Sequence, residues 1–329
     1  MRASVFFVFA AMAFGQAPPV ERVFHLVHTD SPQGLQQIAN AMRAISEVPA
    51  GSVDNVARTI TVRGTAEEVG LADWLVPQLD VAIGNSGSSQ YQTGNAQTAV
   101  TRVFYLAQIK EPRAVQELVN AIRSITELQR VVAVTQPGAV VVRGTTEQVA
   151  AADWMVAGLD KAAGETSTSY TLTGTDRGVR MAPAIRILSL QNTKTPQALQ
   201  EIINAVRTVA EMQRVVGFNL LNSIVLRGSS DQVVMAEWLV NALDRPAGKS
   251  AGMSFGEQPV AGTAEVARVF FPHTSKPEDL QALTNQVRSE AHIMRAVLVQ
   301  TPGGLVIRGT AAQLAIAEKI VRDRDAIAN

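Results

Sequence analysis

Four stretches of this sequence repeat one another, and no other feature constrains the fold as strongly. They run from Arg22 to Asp80, Arg102 to Asp160, Arg186 to Asp244 and Arg268 to Asp325, at a spacing of 80 to 84 residues. A stretch of about 60 residues can hold a small core of its own. The repeat therefore predicts four modules where length alone would suggest about two domains. Several positions carry the same residue in every module, among them Arg22, Pro32, Gln36, Asn40, Arg43, Arg63, Gly64 and Asp80, with their counterparts.

Each module reads as strand, helix, strand, strand, helix, an α+β unit. The first strand is short and apolar: Val23–Leu26, Val103–Leu106, Ile187–Leu190 and Val269–Phe271. Pro32, Pro112, Pro196 and Pro277 announce a helix, since proline suits the first helical turn. In module one Leu35, Ile38, Ala39, Met42 and Ile45 form its apolar face. Two strands follow, at Arg130–Thr135 and Ala139–Arg143 in module two, separated by the turn signal Gln136-Pro137-Gly138. Module four has Thr301-Pro302-Gly303-Gly304 there, and module one has Asp54-Asn55 in that region. The second helix opens on a capping box in every module: Thr65/Glu68, Thr145/Gln148, Ser229/Gln232 and Thr310/Gln313. The preceding Gly64, Gly144, Gly228 and Gly309 are expected to free the backbone to turn sharply out of the strand.

The module boundaries fall at 20–81, 100–161, 184–245 and 265–329. Residues 82–99, 162–183 and 246–264 are rich in Gly, Ser and Thr without periodicity and read as flexible linkers. Residues 1–17 read as a signal peptide: Arg2, the apolar run Val5–Phe14, and small residues that place cleavage after Gly15 or Ala17. That run is too short to span a bilayer. The expected mature protein is periplasmic or secreted, with no membrane span.

The strand, Gly-Thr turn and helix ending in Leu-Asp, as in Thr59–Val69 with Leu79-Asp80, resemble the periplasmic N-domains of bacterial secretins. Val140–Asp160, Ile224–Asp244 and Leu305–Asp325 share the resemblance. It implies the βαββα ring-building motif, an architecture also related to KH domains, together with a periplasmic location and side-by-side packing of modules. Secretins add a large C-terminal β-barrel. The four modules here stand without one, so the chain is not expected to form the pore.

Charge and chemistry narrow the function classes. Lys plus Arg equals Asp plus Glu at 29 each, so no strong field draws in nucleic acid. Aromatic residues are 5%, too few for base-stacking platforms. Gly84-Asn85-Ser86-Gly87 has the spacing of a KH loop but no flanking basic residues. There is no cysteine, hence no disulfide or thiolate chemistry. His25, His28, His273 and His292 do not recur at one position in all modules, and no metal or other cofactor is expected. No nucleophile or acid–base constellation is visible, so the chain is not expected to be an enzyme.

Two repeated surfaces are candidate interaction sites. The first is a polar stripe on the first helix at i, i+4, i+7: Gln36/Asn40/Arg43, Gln116/Asn120/Arg123, Gln200/Asn204/Arg207 and Gln281/Asn285/Arg288. It reads either as a shared contact or as an internal brace in which Arg43 pairs with a carboxylate and Asn40 with a loop. The second is the single tryptophan position of the second helix, Trp74, Trp154 and Trp238, replaced in module four by Lys319. With Val69, Ala72, Val76 and Leu79 as the core face, Trp74 projects away from it. It is expected to meet a neighbouring module, a linker or a partner, or else its own sheet if the helix is rotated. The expected function is an exported assembly or scaffold protein tied to a secretin-type secretion or pilus system, with protein partners or self-association. The alternatives are a multivalent binder of cell-wall polymer or peptide and, far behind, a hydrolase.

Overall fold

The computed structural model describes residues 19–48, 50–82, 88–92, 100–161, 168–171, 184–246, 253–274 and 276–328. The signal-peptide segment and Gly84–Gly87 lie outside them. The chain divides into two compact units, Met1–Val81 and Ala82–Asn329. The first holds module one; the second holds modules two to four.

Module one consists of β1 (Val20–His25), α1 (Pro32–Ala41, ending in a π-helical turn at Met42–Ser46), β2 (Ala50–Asp54), β3 (Thr59–Gly64) and α2 (Ala66–Leu79). Its antiparallel sheet has the order β1-β3-β2. The remaining modules repeat this order of elements with one strand more. Module two is β4 (Ser88–Gln92), β5 (Val100–Tyr105), α3 (Pro112–Thr126), β6 (Arg130–Val134), β7 (Ala139–Gly144) and α4 (Thr146–Leu159). Module three is β8 (Thr168–Thr171), β9 (Ala184–Ser189), α5 (Pro196–Val209), β10 (Arg214–Phe218), β11 (Ser223–Gly228) and α6 (Ser230–Leu243). Module four is β12 (Met253–Pro259), β13 (Glu265–Phe271), α7 (Pro277–Glu290), β14 (Arg295–Val299), β15 (Gly304–Thr310) and α8 (Ala311–Ala328).

The α+β architecture is as expected, four times over. The segments read as linkers differ from expectation: 82–99, 162–183 and 246–264 each contain a strand. β4, β8 and β12 pair antiparallel with β5, β9 and β13 and widen those sheets to four strands. Their Ser, Thr, Gln and Tyr residues suit a sheet margin, where one edge faces solvent, and gave no helical or long apolar signal.

The repeated residues have local physical causes. Arg22 Nε pairs with Asp73 at 2.9 Å, tying the first strand to the second helix. The same tie recurs as Arg102–Asp153 at 3.0 Å, Arg186–Glu237 at 2.8 Å and Arg268–Glu318 at 2.8 Å. Asp160 at the end of α4 accepts the backbone N–H groups of Ala107, Gln108 and Ile109 at 2.6, 2.8 and 2.8 Å. Asp80 does so for Val27, His28 and Thr29, and Asp244 for Gln191, Asn192 and Thr193. A carboxylate that takes several N–H groups of one tight loop locks that loop to the helix end. This is the physical content of the Leu-Asp signature.

The capping boxes form in the second helices of all four modules, with both hydrogen bonds present. The preceding glycines act differently from expectation. Among the described glycines, positive φ occurs at Gly138, Gly262 and Gly303, not at Gly64, Gly144, Gly228 or Gly309. Space is what these four provide. A Cβ on Gly64 would lie 2.6 Å from Glu68 Oε2, and one on Gly228 would lie 2.8 Å from the Met212 side chain. The capping side chain needs the room that a methyl group would fill.

Candidate interaction surfaces

The second helix is buried on more than the face expected. In α4, Val149, Ala152, Val156 and Leu159 are buried, but so are Ala151 and Met155. The reason lies in the strands of the next module. Apolar runs there such as Val215–Val216 and Ile224–Leu226 leave no polar alternation, the mark of a sheet covered on both faces.

Module three shows how the second face is covered. On β9 and β11, Leu188, Ile224 and Leu226 point into their own core, while Ile185, Ile187 and Val225 join the core of module two, with Phe218 of β10. The helices of module two therefore lie between their own sheet and the sheet that follows. Module four repeats the arrangement: Ala267, Val269, Phe271, Val299 and Val306 join the core of module three. Burying a Val, Ile or Phe side chain contributes about 1.5–3 kcal/mol, against about 0–1 kcal/mol for an exposed ion pair. Apolar burial carries each junction; polar contacts fix its register.

Those polar contacts repeat from junction to junction. Arg227 Nη1 donates to the carbonyl of Ile125 at 3.0 Å, and Arg308 Nη1 to that of Val209 at 2.8 Å. Glu127, at the end of α3, faces Arg227 and Arg214; Glu211, at the end of α5, faces Arg308 and Arg295. Both glutamates have left-handed backbone, φ 63° and 52°, which ends the helix and turns the chain toward the next strand. Burial, and then the charge of Arg227, lower the pKa of Arg214 below the ordinary guanidinium value. On the helices, Glu117 accepts the backbone N–H and the side-chain amide of Asn219, both at 2.8 Å. Glu201 accepts the N–H groups of Gln300 and Thr301 at 2.7 and 3.3 Å. The invariant Arg63 position thus has a use between modules at Arg227 and Arg308. Sequence reading marked that arginine as repeated but not the glutamates, because their partners lie 84 to 102 residues away.

Trp154 and Trp238 fall on these junctions. Trp154 is half-buried and packs on Tyr170 of β8, ring centroids 5.5 Å apart at 33°. It meets a strand from a segment read as a linker, which is part of the next module's sheet. Trp238 is half-buried against the core that joins modules three and four. Trp74 is half-buried in module one. Lys319 is exposed.

The Gln-Asn-Arg stripes form a ladder inside each module. Gln36 Nε2 donates to Asn40 Oδ1 at 3.1 Å, and Gln116–Asn120, Gln200–Asn204 and Gln281–Asn285 match it at 3.0, 3.0 and 3.1 Å. The arginine reaches the neighbouring strand: Arg43 donates to the carbonyl of Gly51, Arg123 to Val131, Arg207 to Val215 and Arg288 to Ala296. The stripe braces the first helix against its own sheet, and its outer surface is exposed in every module. The histidines are placed locally. His28 Nδ1 lies 2.9 Å from the carbonyl oxygen of Asp80, and His273 Nδ1 lies 3.2 Å from Asp325. Among the described residues, no group of three metal-ligating side chains comes together. No helix among them is long and apolar enough to cross a membrane.

The two outer modules depart from this pattern. At the sheet positions that modules three and four fill with valine, module one has Ser52 and Thr61, with exposed His25 and Asp54 beside them. On the helix side, module four has Ala282, His292 and Lys319 where module three has Glu201, Glu211 and Trp238.

No family model matches the sequence, and no curated protein matches it. The solved structures similar to the chain include secretin structures at low identity. The pilotin–secretin AspS–GspD complex of ETEC is 11% identical, over 70% of this chain and 38% of that one, with a TM-score of 0.17. Aeromonas hydrophila ExeD is 15% identical, over 88% of this chain and 59% of that one, at 0.17. The N-terminal domain of the secretin XcpQ from Pseudomonas aeruginosa is 16% identical, over 69% of this chain and all of that one, at 0.23. The chain thus spans 38% and 59% of the lengths of the first two. At these scores the likeness carries nothing about activity or partners.

Proposed function

We propose that this protein is a non-enzymatic, exported scaffold whose modules stack sheet-on-helix, serving a secretin-type secretion or pilus system through protein contacts. One observation carries the scaffold reading: modules two, three and four share continuous apolar cores across their junctions, with the same arginine–carbonyl and arginine–glutamate contacts at each. A stack built this way presents its exposed helix stripes at fixed spacing, as a scaffold requires. Export rests on the basic start and apolar run of residues 1–17. The link to a secretin system rests on the motif resemblance of the four modules.

The measurement is mass and small-angle scattering of the mature chain. A rigid monomer or a discrete oligomer, with scattering that fits modules two to four as one body, supports the scaffold. An extended chain whose modules tumble separately overturns it in favour of multivalent ligand binding.

A further inference from the structure

We propose that the outer edge of β1 is a docking site for an extended, hydroxyl-rich strand of a partner protein, added antiparallel to the sheet of module one. The other three modules show what such an edge takes. In each, the first strand of the repeat is flanked by a further antiparallel strand from the preceding segment: β4 on β5, β8 on β9, β12 on β13. In module one the order is β1-β3-β2, and β1 has no neighbour on its outer side among the described residues. Such an edge presents a row of backbone donors and acceptors ready to pair.

Side chains specify what fits. β4 reads Ser88-Ser89-Gln90-Tyr91-Gln92 and β8 reads Thr168-Ser169-Tyr170-Thr171, with the tyrosines in register opposite Thr101 and Ile185. Each of these partners directly precedes the invariant arginine of its module. In module two that arginine also contacts the added strand: Arg102 Nη2 donates to Ser88 Oγ at 2.9 Å. In module four Arg268 pairs with Glu257 of β12 at 3.0 Å. Arg22 holds the same position in β1 and keeps its tie to Asp73 through Nε. Its side chain is 58% exposed, against 23%, 33% and 20% for Arg102, Arg186 and Arg268. An added strand would bring a Ser, Thr or Glu oxygen to Arg22 as it does to Arg102 and Arg268. Val20 and Val23 on the same strand are 39% and 46% exposed. The partner segment is therefore an extended Ser/Thr-rich strand with a tyrosine opposite Glu21 and an oxygen acceptor near Arg22.

The test uses the full mature chain and a copy of it in which residues 83–99 are duplicated directly before Val20. Tethering raises the local concentration of the added strand. Amide hydrogen exchange of β1 is read in both. The proposal expects fast exchange on the outer side of β1 in the mature chain and at least tenfold slower exchange in the tethered copy, an effect that Arg22→Ala reduces severalfold. A synthetic peptide of residues 84–96, added in trans, should protect the same amides. Three results overturn the proposal. One is β1 already as protected as β5 at all concentrations, meaning the chain's own preceding residues cover it. Another is protection that grows with protein concentration, meaning a second copy does. The third is a tethered strand that leaves β1 unprotected. A failed tether leaves the stack of modules two to four untouched, and modules that tumble freely leave the edge of β1 as it is, so this proposal and the scaffold reading fail separately.

Discussion

Arg308 reaches from one module to the next and donates to the carbonyl oxygen of Val209, 2.8 Å away across 99 residues of sequence. The guanidinium is 5% exposed and is also held by Glu265 at 2.7 Å and Glu211 at 3.3 Å. Arg227 bears the same relation to Ile125 one module earlier.

Arg308→Ala should destabilise the junction of modules three and four by about 2–3 kcal/mol, since it strands a buried carbonyl and a partly buried carboxylate. Arg308→Lys should recover only part, because an ammonium cannot fork to three acceptors. Urea denaturation measures the loss. A change below about 0.5 kcal/mol would mean that apolar burial alone holds the junction.

Asp160→Ala should cost about 1–3 kcal/mol, because three backbone N–H groups lose their acceptor. Asp325→Ala should cost less. Among the described residues its loop gives it one backbone N–H, from His273, with the His273 ring beside it. Thermal melts of the two variants should rank in that order, and the reverse order would refute the loop-lock explanation.

Trp154 reports on the junction of modules two and three. In a variant with Trp74→Phe and Trp238→Phe, emission from Trp154 should be blue-shifted, and Tyr170→Ala should move it red by exposing the indole. Trp154→Ala should cost about 2–3 kcal/mol, below the figure for a fully buried tryptophan. Emission unchanged by Tyr170→Ala would place the ring against its own module.

Acid should weaken the tie between β13 and α8. The hydrogen bond from Arg268 holds the Glu318 carboxyl below its ordinary value of 4.5, with the charges of Arg268 and Arg322 acting in the same direction. A depressed acid pKa contributes stability that is present above the unfolded value and is lost as pH falls through the folded one. The pH dependence below about 4.5 should therefore flatten in Glu318→Gln, while stability near pH 7 falls slightly. The carboxylate is 41% exposed, so the effect is small and is best read as the difference in Tm between pH 7 and pH 3.

Much of the module was legible in the sequence because its signals are local. Pro32 at a first turn and Thr65 with Glu68 at a cap each depend on neighbours three or four residues away. The role of Asp80 was legible only as a repeat. Its three N–H donors lie 51 to 53 residues back, and no local pattern announces them. The linker strands were missed because Ser88–Gln92 and Thr168–Thr171 look like flexible linker until an edge stands beside them. The stripe of Gln36, Asn40 and Arg43 was visible as a pattern, but whether Arg43 faced a partner or its own strand depended on where Gly51 lay.

The sequence by itself determined that there are four α+β modules, how each helix begins, and that the first and last modules differ from the others at Asp54-Asn55 and Lys319. Only the tertiary structure decided what covers the second face of the sheets of modules three and four. A run such as Ile224–Leu226 states that both faces are buried, because apolar groups on either side must leave water. It does not state what buries them. That choice falls to the helices of the preceding module, through contacts such as Glu127 with Arg227 and Val209 with Arg308, which exist only once distant parts of the chain have met.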